Sequence, residues 1–299
     1  MAGIAVVREG ETLLVDCGEG TQRQMMRYGI SFTVSDVFFT HFHTDHVLGV
    51  IGLMRTLQLQ GRTEPMRLWG PRGAAKFLQR TELFGGERLG YAVQVAELEP
   101  GSEIKRDGYA IRPFAVSHHG APALGYALVE DTRLGRFDPD QARALGVPEG
   151  PLWGRLHHGQ SVTLPDGRHI DPALLVGPPR PGRRIAITGD TRPCDTTIEA
   201  AREADVLVHE ATFAEEEAQR AADTGHSTAR EAATIAERAG AQRLVLTHLS
   251  ARYSQDAGEL EREARAIFPR TIVARDGMEI DVPYPCQETT AGSPSVQHK

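Results

Sequence analysis

The chain has 299 residues, 40% of them hydrophobic, which excludes disorder as its dominant state because such a chain can bury a large core. Its 33 basic and 40 acidic residues give a formal net charge of −7, which excludes a surface that binds nucleic acid everywhere. Three widely spaced cysteines, Cys17, Cys194 and Cys286, exclude a disulfide framework and a thiolate zinc finger. Because the sequence shows neither a secretory leader nor a long apolar run, we expect a cytoplasmic protein.

The first third of the chain alternates short apolar runs with segments of helical period. Turn residues separate them, as in Cys17-Gly18-Glu19-Gly20. This alternation predicts an α/β fold. The predicted elements are a strand at 13–16, a helix at 21–28, a strand at 37–40, a helix from Asp45, a strand at 66–69 and a helix at 71–84.

Between residues 91 and 130 the apolar positions recur with period two, which predicts strands that include 110–116 and 124–129. The last third returns to the α/β alternation. Its predicted elements are a strand at 184–188, a helix at 196–203, a strand at 205–208, a helix at 227–239, a strand at 243–247, a helix at 256–267 and an extended segment at 271–282.

Residues 131–184 are rich in glycine and proline and show little periodicity. We interpret them as an insertion into one domain that spans 1–283. Residues 284–299 are mostly polar and without pattern, so we predict a disordered tail there.

The motif His41-Phe42-His43-Thr44-Asp45-His46 directly follows a predicted strand. A strand end turns alternate side chains to one face, so His41 and His43 can bind one cation. Asp45 and His46 lie at the turn into the next helix and can bind a second. The structural alternative is a histidine-rich loop with hydrogen-bonded core histidines, but the density of ligand residues favours a metal site.

Three further predicted strands end on residues that can bind a metal, namely His118-His119, Asp190 and His248. In α/β sheets, sites collect at the carboxyl ends of strands, so these residues can converge with the histidine motif. One such residue alone would more often be a helix cap or a surface residue. Four such endings in one chain indicate a shared site.

The number of candidate ligands predicts two metal ions and a hydroxide shared between them, an arrangement suited to phosphodiester hydrolysis. Nitrogen and carboxylate ligands without cysteine favour two zinc ions per subunit, with manganese or iron as alternatives. The expected sets are His41, His43 and His119 for one ion, Asp45, His46 and His248 for the other, and Asp190 as the bridge.

The order of these motifs resembles the metallo-β-lactamase superfamily. Several stretches further resemble the ribonuclease Z family, the endonucleases that process the 3′ ends of transfer RNA. They span nearly all of residues 3–283. The matching stretches are DCGEGTQRQM at 16–25, FFTHFHTDHVLG at 38–49, HHGAPALGY at 118–126, PEGPLWGRLHHGQSV at 148–162, LVGPPRPGRRIAITGDTRP at 175–193, VHEATF at 208–213, HSTAREAA at 226–233 and LTHLSARY at 246–253.

The resemblance implies a four-layer αβ/βα sandwich with an inserted flexible arm. It also implies that the ligand after the mid-chain strand is His119 rather than His118, judged by the distance to Gly125-Tyr126. His118 is retained as the alternative ligand.

The resemblance further assigns proton delivery to the leaving oxygen to Glu210 and His226. A carboxylate partner would hold the His226 imidazole in one orientation, which gives this pair a physical basis. Asp45 has a second role, which is to orient the attacking hydroxide. His209 points to the opposite face of its predicted strand from Glu210, so we leave it out of the site.

An acidic chain that binds RNA needs a local cationic surface. Residues 131–184 contain eight arginines and six acidic residues, a charge of +2 against −9 elsewhere. The resemblance implies an arm at about 148–180 that grips transfer RNA, often across a homodimer. The alternative is a solvated surface loop.

Members of the family usually begin with one more strand before the segment that aligns with Gly3 to Val6. This sequence begins inside that pattern, at Met1. We therefore expect either a start upstream of Met1 or reduced stability from an unpaired strand edge.

These observations predict a zinc endoribonuclease that cuts precursor transfer RNA after the discriminator base. The products would be a 3′-hydroxyl on the transfer RNA and a 5′-phosphate on the trailer. One alternative is a related hydrolase of small substrates, such as a phosphodiesterase. Another is a non-catalytic RNA-binding subunit, although such proteins typically lose ligands and this set is complete.

Overall fold

A computed structural model describes residues 2–78 and 88–285 of the chain. Three parts of the sequence interpretation lie outside the described residues: the end of the predicted helix, 79–84, the third cysteine, Cys286, and the tail over 286–299.

The chain divides into two compact units. The larger comprises Met1–Val129 and Arg184–Val282, and the smaller comprises Glu130–Arg183 and the chain from Pro283. None of the helices in the described part of the chain is long and apolar enough to span a membrane.

Five strands form the first sheet of the larger unit, and they lie side by side in chain order. The first pair is antiparallel and the other pairs are parallel. The strands are β1 (Ile4–Arg8), β2 (Glu11–Val15), β3 (Val34–Phe38), β4 (Met66–Gly70) and β5 (Val93–Glu97).

Helices cover one face of this sheet. Side chains alternate along each strand, so Leu14 and Val37 pack against the helices while Leu13 and Phe38 belong to the core on the opposite face. The helices are α1 (Thr21–Tyr28), α2 (Thr44–Val47), α3 (Gly49–Leu59) and α4 (Ala74–Leu78).

Seven strands form the second sheet, in the order β14-β13-β12-β11-β8-β7-β6. The pairs from β11 to β14 are parallel, and β11 pairs antiparallel with β8. The strands are β6 (Ile104–Arg106), β7 (Tyr109–Ala115), β8 (Leu124–Glu130), β11 (Arg184–Ile187), β12 (Val206–Glu210), β13 (Leu244–Thr247) and β14 (Thr271–Val273).

The outer face of the second sheet is covered by helices with small apolar side chains. Helix α9 contributes a stripe of buried alanines, which allows close packing against the strands. The helices that follow β11 are α7 (Asp195–Ala200), α8 (Ala218–Thr224), α9 (Ala229–Ala239) and α10 (Gly258–Ile267).

Three apolar cores therefore separate four layers in the larger unit. One core lies between the first sheet and its helices, one joins side chains of both sheets, and one lies between the second sheet and its helices. The predicted αβ/βα sandwich is confirmed.

Most predicted elements are found with their ends shifted by a few residues, as in β3, which is Val34–Phe38 instead of 37–40. Two predicted elements differ more. The segment predicted to be extended over 271–282 is a strand only at Thr271–Val273. A turn follows, in which the Met278 N–H donates to the Arg275 carbonyl and Gly277 takes a φ of +76°. The helix predicted to run on from Asp45 is divided into α2 and α3, which adjoin at Leu48.

The smaller unit has its own apolar core, although its sequence showed little periodicity. Its glycines and prolines mark helix starts, since proline occupies the first turn of each helical segment. The core residues are Ala142, Val147, Leu156, Val162, Leu164, Ile170 and Leu175. The elements are α5 (Pro139–Ala144), α6 (Pro151–His157), β9 (Val162–Thr163), β10 (His169–Ile170) and a short 3-10 helix at Pro172–Leu174.

Tyr284, which we assigned to the disordered tail, packs within the smaller unit. Its ring lies 3.5 Å from the Arg133 guanidinium carbon and 4.3 Å from that of Arg183. The ordered chain therefore extends at least through this residue.

Candidate metal centre and active site

The candidate ligands all lie in the larger unit, just beyond the ends of strands from both sheets. His41 and His43 follow β3, and Asp45 and His46 belong to α2. The remaining ligands follow β7, β11 and β13.

A close backbone approach fixes α2 beside the loop that follows β2. Cys17 N–H donates to the His46 carbonyl at 2.7 Å, and Gly49 N–H donates to the Cys17 carbonyl at 2.9 Å. A side chain on Gly18 would lie 2.2 Å from the Asp45 carbonyl oxygen, and one on Gly49 only 1.9 Å from the Gly18 oxygen. Glycine is required at both positions so that the turn holding Asp45 and His46 can form.

The first group of ligand atoms belongs to His41, His43, His118 and Asp190, and these atoms all lie within 4.8 Å of one another. His118 Nε2 is 3.2 Å from His43 Nδ1. His41 Nε2 is 3.7 Å from Asp190 Oδ2. The four donors are close enough together to bind the same metal ion.

The second group belongs to Asp45, His46 and His248, again within 4.8 Å. His248 Nε2 lies 3.3 Å from Asp45 Oδ2 and 3.4 Å from His46 Nε2. Asp190 reaches this group too, since its carboxylate is 3.3 Å from His46 Nε2 and 3.5 Å from His248 Nε2. Asp190 therefore lies between the two groups.

The structure places His118, and not His119, among the candidate ligand atoms. His118 is 1% exposed and its Nδ1–H donates to the Gly225 carbonyl at 2.8 Å, whereas His119 is exposed and belongs to none of the ligand groups. The backbone turns at His119, which has a φ of +44°. The spacing to Gly125-Tyr126, which led us to expect His119, carries no information about this turn. The candidate ligand of the structure is therefore one residue earlier, at His118.

The donor set fits a divalent metal. Asp190 and His41 are each 2% exposed, yet Asp190 Oδ1 and His41 Nε2 have no hydrogen-bond partner among the described residues. Buried polar atoms are normally paired, so two unpaired atoms in one cluster indicate that both serve to bind a metal ion. Imidazole nitrogens and carboxylate oxygens are ligands of zinc and of related transition metals.

The far side of each buried imidazole is held by a hydrogen bond, which turns its Nε2 into the cluster. His46 Nδ1–H donates to Asp16 at 2.8 Å. His41 Nδ1 is 3.0 Å from the Thr40 hydroxyl, which itself donates to Asp16. His248 Nδ1 is 3.0 Å from the Thr212 hydroxyl. The ligands are therefore positioned before a metal binds.

The electrostatics of the cluster also favour a cation. Burial, with a contribution from His46, lowers the pKa of His41 to about 3, and burial lowers the pKa of His118. Burial opposes the charge of His46, but Asp16 and Asp190 raise its pKa to about 10. The pKa of Asp190 lies well below its usual range because its histidine neighbours outweigh the effect of burial. The carboxylates that favour a proton on His46 also favour a metal ion in its place. His46 gives up that proton when a metal binds, since ionised carboxylates and neutral imidazoles are the forms that bind metals.

Glu210 and His226 form a hydrogen-bonded pair beside the cluster. His226 Nδ1–H donates to Glu210 at 2.9 Å. Glu210 is fully buried and accepts three more hydrogen bonds, from Thr191 N–H and from the N–H and hydroxyl of Thr212. The His226 ring stacks on His248, with 5.3 Å between ring centroids. A fixed carboxylate thus orients an imidazole at the edge of the metal cluster.

Sequence reasoning missed two residues that support the ligands, Asp16 and Thr212. Asp16 directly follows the apolar strand β2, so the strand-end signal that was used for Asp190 was present here too. Nothing in the sequence pattern distinguished Thr212. His209 is buried and donates to the Glu210 carbonyl at 2.7 Å, and it lies outside the ligand groups.

Comparisons with known proteins agree with this geometry. Residues 155–249 match the family described as "Beta-lactamase superfamily domain", and residues 3–136 match "Anti-Pycsar protein Apyc1". Among solved structures, human tRNase Z, short form, is 27% identical, with a TM-score of 0.68 over 94% of this chain and 92% of that one. The metallo-beta-lactamase fold protein YhfI from Bacillus subtilis has a TM-score of 0.63 at 19% identity, over 93% of this chain and 89% of that one, which supports the fold alone.

Curated relatives give the family. Ribonuclease Z of Gemmatimonas aurantiaca is 61% identical over 99% of this chain and 94% of its own length. Ribonuclease Z of Myxococcus xanthus is 52% identical over 95% of this chain and 92% of its own length. The chain therefore belongs to the ribonuclease Z family of the metallo-β-lactamase superfamily.

Proposed function

We propose that the chain is a metal-dependent endoribonuclease that removes the 3′ trailer from precursor transfer RNA by cutting after the discriminator base. The cut leaves a 3′-hydroxyl on the transfer RNA and a 5′-phosphate on the trailer. The observation that supports this most is a complete set of metal donors beside the Glu210–His226 pair, in a chain 61% identical to a ribonuclease Z.

The proposed metals are two zinc ions. His41, His43 and His118 would hold one, Asp45, His46 and His248 would hold the other, and Asp190 would be shared. Divalent ions bound there supply a water that ionises near neutral pH and stabilise the charge that develops on the phosphate. Histidine and carboxylate donors favour zinc over magnesium, and manganese or iron remain the alternatives.

The side chains have separate tasks in cleavage. Asp45 is partly exposed, which suits the additional task of orienting the attacking water. Glu210 accepts the Nδ1–H of His226 and fixes the ring, so that the imidazolium can deliver its other proton, on Nε2, to the leaving 3′ oxygen and remain as the Nδ1–H tautomer. Ribose oxygen is a poor leaving group without this proton, so the pair accelerates bond breaking.

We place precursor binding on the smaller unit, with the arm at about 148–180. Several of its arginines are neutralised locally, for example Arg143 by Asp140 and Glu149. Arg136 and Arg155 are exposed and form no ion pair with a described residue. Arginines of this kind can bind RNA phosphates.

A cytoplasmic homodimer is a further part of the proposal, and it rests on the family resemblance. Light scattering measures the mass of the particle in solution directly. A mass of two chains supports the dimer, and a mass of one chain contradicts it.

Cleavage of a 3′-extended precursor transfer RNA, with the cut mapped to the nucleotide, tests the activity. We expect a cut beside the discriminator base that disappears with a chelator and returns with zinc. A folded, metal-loaded protein that leaves the precursor intact would contradict the proposal and favour a hydrolase of small substrates.

A further inference from the structure

Arg192 lies two residues after Asp190 and contacts the backbone of His226. Its Nη1 donates to the His226 carbonyl oxygen at 2.6 Å. Both terminal nitrogens also bind the Glu231 carboxylate, at 2.8 and 2.5 Å. The planar guanidinium can make these contacts together because its donors form a rigid fork.

Glu231 is itself fixed by the start of α9. Its carboxylate accepts from Thr228 N–H at 2.9 Å, while its own N–H donates to the Thr228 hydroxyl at 3.1 Å. This reciprocal pair is a capping box. The guanidinium of Arg192 is therefore attached to a rigid helix start on one side and to His226 on the other.

His226 needs such a support because it lies in the short link between α8 and α9. Its N–H donates to the Ala221 carbonyl at 2.8 Å, and its own carbonyl accepts the second hydrogen bond, from Arg192. Loss of the second bond frees the peptide plane that follows His226. Rotation of that plane shifts the imidazole relative to Glu210, to which it is bound at 2.9 Å.

We propose that Arg192, held by Glu231, is a positioning residue that sets the orientation of the His226 imidazole for proton delivery to the leaving oxygen. This inference rests on the proposed function of the Glu210–His226 pair. Arg192 acts through the His226 carbonyl and through no reacting atom. Its removal slows departure of the leaving group and leaves metal binding and attack of water intact.

Metal binding is expected to survive because the Arg192 side chain is not what holds the neighbouring ligand loop. The backbone N–H of Arg192 donates to the Ser117 carbonyl at 2.7 Å, beside His118. The Ser227 hydroxyl donates to the Thr191 carbonyl at 2.6 Å. Both bonds are retained when only the side chain at position 192 changes.

The test uses two precursor transfer RNAs that differ in one atom, with oxygen or sulfur as the 3′ leaving atom at the cut. A thiolate departs without a proton, so the sulfur substrate does not need His226. In Arg192→Met we expect kcat on the oxygen substrate to fall by about 10- to 100-fold, which is less than the loss of the acid itself would cost, since acid catalysis contributes about 100- to 10,000-fold. The change on the sulfur substrate should be less than about threefold. Arg192→Lys retains one donor group and should lie between wild type and Arg192→Met.

Glu231→Gln separates positioning from helix stability. Glutamine also suits this position of a capping box, so α9 should still form, while the charge that holds the guanidinium is lost. We expect a smaller loss of kcat than in Arg192→Met, again confined to the oxygen substrate. The control is Arg112→Gln on β7, which breaks an exposed ion pair of 2.8 Å with Glu103 and should leave both rates unchanged.

The His226→Ala variant distinguishes a failure of this inference about Arg192 from a failure of the proposed function of His226. Restoration of its rate by the sulfur substrate supports His226 as the acid, and no restoration overturns that role. The positioning role of Arg192 is tested when the sulfur substrate does restore the rate of His226→Ala. If Arg192→Met is then equally slow on both substrates, or cleaves both at the wild-type rate, the positioning role is overturned. Should Arg192→Met fail to fold or to bind zinc, Arg192→Lys and Glu231→Gln decide by the same comparison.

Discussion

The two units of the chain use their charged side chains in opposite ways. In the larger unit, buried histidines and carboxylates converge, and most of their atoms have a partner that fixes their direction. In the smaller unit, arginines lie at the surface and pair with nearby acids or with no described residue, as Arg143 and Arg136 show. Chemistry requires exact placement of a few atoms, whereas RNA binding depends more on the amount of exposed positive charge.

The largest effect is expected for Asp190→Ala, because this carboxylate reaches both ligand groups. Its loss should reduce cleavage of precursor transfer RNA and of a small phosphodiester by at least about 1,000-fold, since several kcal/mol of charge stabilisation is lost. Metal analysis should show less than the full zinc content. Asp223→Ala, at an exposed position of α8, is the matched control. Wild-type turnover by metal-free Asp190→Ala would refute the site.

Alanine variants of the neighbouring residues His118 and His119 test which of them is the metal ligand. His118→Ala should lower kcat/KM by about 100-fold or more and release zinc, because the loss of a ligand exceeds the usual effect of losing an outer partner. His119→Ala should stay within about twofold of wild type, since surface changes away from a site have small effects. Steady-state kinetics and zinc content measure both. The reverse ranking would restore the sequence-based choice of His119.

How much the sequence could predict depends on the kind of signal. The ligands His41 to His46, Asp190 and His248 follow apolar runs, so their position at strand ends could be inferred from periodicity. The choice of His118 could not, because it depends on a left-handed backbone turn at His119 that no local pattern indicates. The fold class was predictable for the same reason as the ligands, since strand and helix periods alternate along the chain.

The smaller unit was harder to predict because its signals are single residues. Asp138 caps α5 by accepting from Gln141 N–H, with a proline following it. Asp171 caps the 3-10 helix at Pro172–Leu174 in the same way, by accepting from Ala173 N–H. These are ordinary helix-start signals, but the helices are too short to show a period, and the segment therefore resembled a loop.

Removal of most of the smaller unit tests whether precursor binding and phosphodiester hydrolysis depend on different parts of the chain. Glu130 N–H donates to the Arg183 carbonyl at 2.9 Å, so a short linker in place of 131–182 joins two ends that are already paired. A deletion of 150–180 alone would cut through the core around Leu156 and Leu175. We expect the excision to weaken precursor binding while hydrolysis of a small phosphodiester persists. Equal loss of both activities would contradict the division of labour.

A finer test changes charge only. The double variant Arg136→Gln and Arg155→Gln should weaken precursor binding by about tenfold and reduce its salt dependence, because each lost phosphate contact lowers the slope of affinity against salt. Arg143→Gln is the control within the same unit, since its charge is already neutralised by Asp140 and Glu149. Binding isotherms at several salt concentrations distinguish these variants. An equal effect of Arg143→Gln would argue against specific use of the unpaired arginines.

The smallest effect on activity is expected for Asp36, which lies on β3 of the larger unit and outside the ligand groups. Asp36 is fully buried and accepts from Arg67, Arg106 and the Trp69 ring nitrogen. Burial alone would raise its pKa, but these donors lower it. Its stabilising contribution is therefore present above the unfolded-state pKa of about 3.9 and is lost as pH falls through the lower folded-state pKa.

Asp36→Asn should lower the free energy of unfolding at neutral pH by about 3 kcal/mol, because it breaks a buried ionic network. The difference from wild type should shrink in acid. Urea unfolding at several pH values measures it, with Asp107→Asn at an exposed position as the control. A difference that does not depend on pH would show that the loss is one of packing.

A zinc titration of the metal-free enzyme, which follows metal binding and precursor cleavage together, tests the two-metal mechanism most directly. We expect two zinc ions per chain, with cleavage beside the discriminator base appearing as both are bound. Cleavage at full rate without metal, or an enzyme that holds two zinc ions and leaves the precursor uncut, would contradict it.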